Sequence, residues 1–236
     1  MIINHSYKFI FIHVPKAAGT SVTHELSEMT RYCDQEIGGT GDGQSVTRYY
    51  AKRFGLRKHS PSTDVRKIVG EDVWEQYFTF GFVRNPYTRL VSSFKFLKGW
   101  ANCPDHVRQR LDEFDTVQDF LDSDYWSDHA GPDNMFRPQT FWLCDPVSPE
   151  HVHVNFVGKT ENIAESMKKI YAYLGSNVQE TKIGFRNKST INIQENVDIV
   201  WHPRLIERMQ ERYAPDFKAF GYAPDIHTQD HAGKML

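Results

Sequence analysis

Lys16, followed by Ala17, Ala18 and Gly19 and then by the hydroxyls of Thr20 and Ser21, is a set of residues suited to holding a phosphate-like anion. Small side chains let the backbone come close to a ligand, and the first amides of a helix have no partner within it and point outward. Together with an ammonium and two hydroxyls, such amides make a compact cradle. The order differs from a Walker A loop, GxxxxGK[ST], whose lysine follows the glycines. Here Lys16 precedes Gly19, and that motif occurs nowhere in the chain. An ordinary strand-to-helix turn with a solvated lysine would carry the same residues, so a second motif is needed.

Arg84, with Ser92 eight positions later, supplies it. An arginine fork holds a phosphate through two parallel bonds, and a hydroxyl adds a third. Taken singly, Arg84 has the alternative of a surface ion pair and Ser92 that of a small helix-packing residue. The elements that must position both motifs are legible around them. Phe9, Ile10, Phe11, Ile12 and Val14 form a continuous apolar run, which predicts a strand covered on both faces in a parallel sheet. A strand of this kind delivers its carboxyl end to a binding crevice. Tyr77 to Val83 is a second such run, ending in Arg84-Asn85-Pro86. Beyond it, Tyr87, Leu90, Val91, Phe94 and Leu97 fall on one helical stripe, and Pro86 suits the first helical position.

With both motifs present in this order, the chain resembles the sulfotransferases that use 3′-phosphoadenosine 5′-phosphosulfate (PAPS), most closely the carbohydrate sulfotransferase (sulfotransferase family 2) branch. The loop from His13 through Pro15, Lys16, Ala17, Ala18, Gly19, Thr20 and Ser21 resembles the family's 5′-phosphosulfate loop. Val83 to Ser92 resembles its 3′-phosphate segment, which binds through Arg84 and Ser92. Phe156-Val157-Gly158-Lys159-Thr160-Glu161-Asn162 is similar to the family's strand leading into a late helix, and Arg212 to Tyr222 to its closing segment. Arg31 to Arg57 and Asn102 to Asn134 have no match. The resemblance implies an α/β fold with a central, mostly parallel sheet flanked by helices, of the P-loop-NTPase-like sulfotransferase kind.

At 236 residues the chain fits a single domain over 1–236, able to bury roughly 70–75% of the surface its unfolded form exposes. A formal charge of −2 argues against nucleic acid as a partner. No segment reaches the length of a membrane span, so the anchor general among Golgi relatives is not expected. Cys33, Cys103 and Cys144 lack CxxC or zinc spacing and read as reduced thiols in a cytoplasmic protein. Gly38 to Gly43 predicts a mobile loop. The basic residues after it, Arg48, Lys52, Arg53, Arg57 and Lys58, read either as a solvated helix face or as attraction for an acidic acceptor or the nucleotide. Asn162 to Leu174 predicts a helix capped by Asn162 and ended by Gly175, and Trp201 to Tyr213 another, stopped by Pro215.

The chemistry the resemblance implies is transfer of a sulfuryl group from PAPS to a hydroxyl or amine of a carbohydrate, lipid or other small hydroxylated acceptor. Positioning and charge stabilisation dominate reactions of this type. Lys16 would stabilise the leaving oxygen, and Arg186 and Lys188 would close over the nucleotide. The acceptor's base is His59, placed as in some relatives, or His129. No arrangement of Asp and Glu proposes a metal site. Trp100 and Trp126 are candidates for stacking on a sugar, with core packing as the alternative. Two other functions remain open: a P-loop-like nucleotide kinase, which the position of Lys16 disfavours, and a non-catalytic nucleotide- or glycan-binding protein.

Overall fold

The computed structural model describes residues 1–175 and 199–227. In chain order, strands β1 (Ile2–Asn4) and β2 (Phe9–Ile12) precede helix α1 (Gly19–Ser27), strand β3 (Gln35–Glu36) and helices α2 (Gly41–Phe54), α3 (Ser62–Val69) and α4 (Glu71–Gln76). Strand β4 (Phe78–Val83) is followed by α5 (Pro86–Gly99), α6 (Asp105–Asp112), α7 (Val117–Asp122), α8 (Tyr125–Asp128) and α9 (Thr140–Leu143). Strand β5 (Phe156–Lys159) leads to α10 (Ile163–Leu174), α11 (Pro203–Arg212) and α12 (Ala214–Phe220). The described residues divide into two compact units, 1–84 with 139–175, and 85–138 with 199–227.

The first unit holds the sheet, in the order β3-β1-β2-β4-β5. Strand β2 pairs with β4 and β4 with β5 in parallel, whereas β1 runs antiparallel to β2 and to β3. Only β1 therefore opposes the common direction, and the sheet is mostly but not purely parallel. The reason is the short return from Asn4 to Phe9: parallel neighbours need a crossover of a dozen residues or more. Asn4 braces that return, accepting from the Tyr7 amide at 2.7 Å and donating to Asp34 Oδ2 at 3.1 Å. Every residue of β2 and β4 is buried, as continuous apolar runs predict. Phe9 and Phe11 stand opposite Phe78 and Phe80, and the Phe11 and Phe80 rings lie 5.5 Å apart. Gly81 is required for packing: a Cβ there would come within 2.6 Å of Leu143 Cδ2, so its absence lets α9 lie on β4.

Three local expectations change. Helix α2 begins inside the glycine-rich stretch, because Thr40 accepts from the Gly43 amide at 3.1 Å and caps it. Gly38 and Gly39 form the turn before it at φ +70° and +99°. Asn162 makes no side-chain cap for α10, although Gly175 ends that helix at φ +98° as expected. Pro215 lies in the first turn of α12 as well as following α11.

The second unit is helical. The stripe Tyr87, Leu90, Val91, Phe94 and Leu97 is buried among Leu111, Phe120, Trp126, Phe136, Leu205 and Met209. Pro86 opens α5, and Asn85 caps it by accepting from the Tyr87 amide at 3.0 Å. Trp126 is fully buried, and its indole N–H donates to the Leu121 carbonyl at 2.9 Å, so it is core rather than a sugar platform. Trp100 is half-buried and stacks on Phe96.

Candidate active site

Ile12 of β2 stands opposite Gly81 of the parallel β4. The carboxyl ends of both strands therefore leave the same edge of the sheet side by side, one into the Lys16 turn and the other into Arg84. Lys16 and Ala18 take left-handed backbone angles, φ +63° and +55°, at a cost of roughly 1–2 kcal/mol each for residues with a Cβ. Strain of this kind gathers at ligand clamps. Helix α1 has neither a capping side chain nor an acidic residue in its first turn, so neither offsets the positive end of its dipole. Gly19 is needed for a reason the sequence did not suggest. A Cβ there would lie 2.1 Å from the His13 ring, so the helix starts against a buried imidazole.

Electrostatics tie the two turns together. The Lys16 pKa is pushed from its ordinary 10.5 down to about 8, first by burial and then by the charges of Arg84 and Lys58. Like charges held this close favour whatever anion relieves them. Burial, followed by His59 and the neighbouring cations, holds the His13 pKa well below the usual histidine value, so His13 is neutral. Its Nδ1 faces Thr23 Oγ1 at 3.4 Å, and Thr23 donates to the Gly19 carbonyl at 2.8 Å.

His59 reaches this cluster. Its Nδ1 is 2.8 Å from the His13 carbonyl and its ring meets the His13 ring edge-on at 4.6 Å. A carbonyl only accepts, so Nδ1 carries the proton and the neutral ring has Nε2 as its acceptor. Trp142 fixes the backbone here, its indole N–H donating to the His59 carbonyl at 2.9 Å. Arg84 is held by the fully buried Gln139, whose Oε1 accepts from the Arg84 amide at 2.8 Å and whose Nε2 donates to the Arg84 carbonyl at 2.7 Å.

The first unit thus brings together Pro15, Lys16, Ala17, Ala18, Gly19, Thr20, Ser21, Arg84 and His59. Ser92 is buried on α5 and His129 is exposed just after α8, both in the second unit. Arg186 and Lys188 lie outside the described residues. Arg89 is buried and donates to the carbonyls of Arg137 at 2.9 Å and Met135 at 3.0 Å, bracing its own unit. Lys58, one of the basic residues read as attraction for an acidic acceptor or the nucleotide, acts on Lys16 through its charge. Gln139 and Trp142 are the contributors that sequence reasoning missed, because they act across 55 and 83 residues and leave no local pattern. Among the described residues no group of three or more His, Cys, Asp or Glu is placed to hold a metal. No described helix is long and apolar enough to cross a membrane.

A family model described as "Sulfotransferase family" matches residues 1–223. Carbohydrate sulfotransferase 12 of Mus musculus is 22% identical over 267 aligned residues, covering 94% of this chain and 59% of that protein. Carbohydrate sulfotransferase 12 of Xenopus laevis is also 22% identical over 267, covering 94% and 60%. The chain therefore spans about three-fifths of the length of these curated relatives. No solved structure matches.

Proposed function

The chain belongs to the sulfotransferase family, and from that premise we propose that it moves a sulfuryl group from PAPS to a hydroxyl, or an amine, of a carbohydrate or related acceptor. The observation that carries the reading is the pairing of β2 with β4. It sets the Lys16 and Arg84 turns on one edge, close enough for the charge of Arg84 to depress the Lys16 pKa.

In this reading the donor's 5′-phosphosulfate takes the amides of Gly19, Thr20 and Ser21 at the uncapped start of α1, and Arg84 takes its 3′-phosphate. Ser92 joins Arg84 on the strength of the resemblance alone. The acceptor oxygen attacks sulfur as the bond from sulfur to the 5′-phosphate oxygen breaks, releasing adenosine 3′,5′-bisphosphate. The acceptor's proton passes to His59 Nε2, and protonated Lys16 stabilises the charge left on the departing oxygen. A sulfuryl group carries less negative charge than a phosphoryl group, so less counter-charge is required than in phosphoryl transfer.

Two measurements test the proposal. Saturating adenosine 3′,5′-bisphosphate should stabilise the protein by about 2.7 kcal/mol at a hundred times its Kd, and more than ATP with magnesium does; the reverse ranking would favour the kinase reading. Label from radioactive sulfate donor should then appear on a hydroxylated glycan. Donor binding without transfer to any glycan, lipid or peptide acceptor would leave a nucleotide-binding protein instead.

A further inference from the structure

Helix α9 is short, yet it is tied to both halves of the site. Gln139, at its start, holds the amide and carbonyl of Arg84, and from Trp142, also fully buried, the indole N–H reaches the His59 carbonyl. An indole N–H only donates, so the direction of that bond is fixed. The helix is itself seated firmly. Leu143 lies where a side chain on Gly81 of β4 would have to be, Leu143 and Cys144 are buried, and α9 packs against α3.

His59 is therefore gripped from two elements, its carbonyl from α9 and its ring Nδ1–H by the His13 carbonyl beyond β2. The turn that carries it is closed on itself. The Ser60 amide donates to the Arg57 carbonyl at 3.1 Å, and the Ser60 hydroxyl accepts from the Arg57 amide at 2.8 Å. A hydrogen-bonded path thus runs from Arg84 through Gln139, α9 and Trp142 to His59 and His13, and the pairing of β4 with β2 closes it into a ring. Every member lies in the first unit. One element is then common to the arginine that takes the donor's phosphate and to the acceptor's base. Positioning matters at this scale, because a misplacement of about 1 Å can cost a hundredfold in rate.

We propose that Trp142 is a positioning residue for the proton transfer: by holding the His59 carbonyl it keeps the ring in the Nδ1–H tautomer with Nε2 ready to accept, and α9 fixes that base relative to Arg84. This rests on the sulfotransferase reading.

Trp142→Phe removes the indole N–H and keeps an aromatic ring. Wild type, Trp142→Phe, His59→Ala and the double variant are compared in single-turnover transfer of labelled sulfate from PAPS, using the best acceptor from a panel of hexasaccharides, glycolipids and peptides. Trp142→Phe should slow transfer roughly tenfold or more while keeping the rise in melting temperature with adenosine 3′,5′-bisphosphate. In the His59→Ala background the same change should alter the rate by less than about twofold. Nitrogen-15 spectra of the neutral His59 ring should show the Nδ1–H tautomer in wild type and a drift toward Nε2–H in Trp142→Phe. If that variant loses the nucleotide response, benzothienylalanine at position 142, with sulfur in place of the N–H, takes its part and the same outcomes are read. No slowing, equal slowing in both backgrounds, or an unchanged tautomer overturns the positioning role and leaves Trp142 as core. Normal transfer by His59→Ala overturns the base assignment and this role with it. No label on any acceptor with wild type overturns the sulfotransferase reading, and the hold of Trp142 on the His59 ring is then judged by the tautomer alone.

Discussion

Replacing Lys16 with methionine keeps the aliphatic stem and removes the charge that burial, Arg84 and Lys58 all oppose. A pKa brought from 10.5 to about 8 corresponds to roughly 3 kcal/mol of disfavoured charge, and the solvent that still reaches the half-buried side chain reduces this to about 1–2 kcal/mol. The sign is the reverse of a lysine gaining a partner. The penalty is present in full below pH 8, where folded and unfolded chains both carry the proton, shrinks between pH 8 and 10.5, and vanishes above. Lys16→Met should therefore melt higher than wild type by about 2–8 °C at pH 7, and the gain should fade as pH approaches 10.5. Adenosine 3′,5′-bisphosphate should narrow the gap, because a bound anion relieves the crowding in wild type. Transfer should fall by about 10²-fold or more, as for loss of an electrostatic stabiliser. Thermal melts across pH with and without the nucleotide, together with a single-turnover assay, measure all of this. An unchanged or lower melting temperature at pH 7, or a gain that persists at pH 10.5, would refute the electrostatic coupling of the two turns.

Arg84→Ala should cut the preference for the 3′-phosphorylated nucleotide over its dephosphorylated form by roughly tenfold or more, measured by competition; an unchanged preference removes Arg84 from that role. His59→Ala should slow transfer by about 10²-fold while donor-product affinity holds, and a normal rate passes the base role to His129 or a carboxylate. Gln139→Leu should cost about 2–4 kcal/mol in chemical denaturation, since it removes both buried hydrogen bonds that Gln139 makes to the Arg84 backbone. A loss below about 1 kcal/mol would show that the clamp is dispensable.

Strands β2 and β4 and helix α5 were legible because burial on two faces, or on one stripe, leaves an unambiguous apolar period. Strand β1 was not: three residues carry no period, and their pairing is decided by the open edge of β2. The start of α2 was hidden because Thr40 caps it from within a run of glycines whose composition signals a loop. At the site, Lys16 and Arg84 were readable from their places at strand ends. Their mutual effect was not, since it depends on which strands become neighbours. Gly19 was read as room for a ligand, and the structure gives it to the His13 ring; only coordinates distinguish which neighbour a missing side chain admits.

The phenylalanines shared by β2 and β4 act as a gauge block. Sliding one strand past the other by a single residue would offset the two turns by about 3.3 Å and set Phe9 and Phe11 out of step with Phe78 and Phe80. A repacking error deep in the sheet would then disturb nucleotide discrimination as well as stability, so variants of these rings should be screened by ligand discrimination as well as by melting.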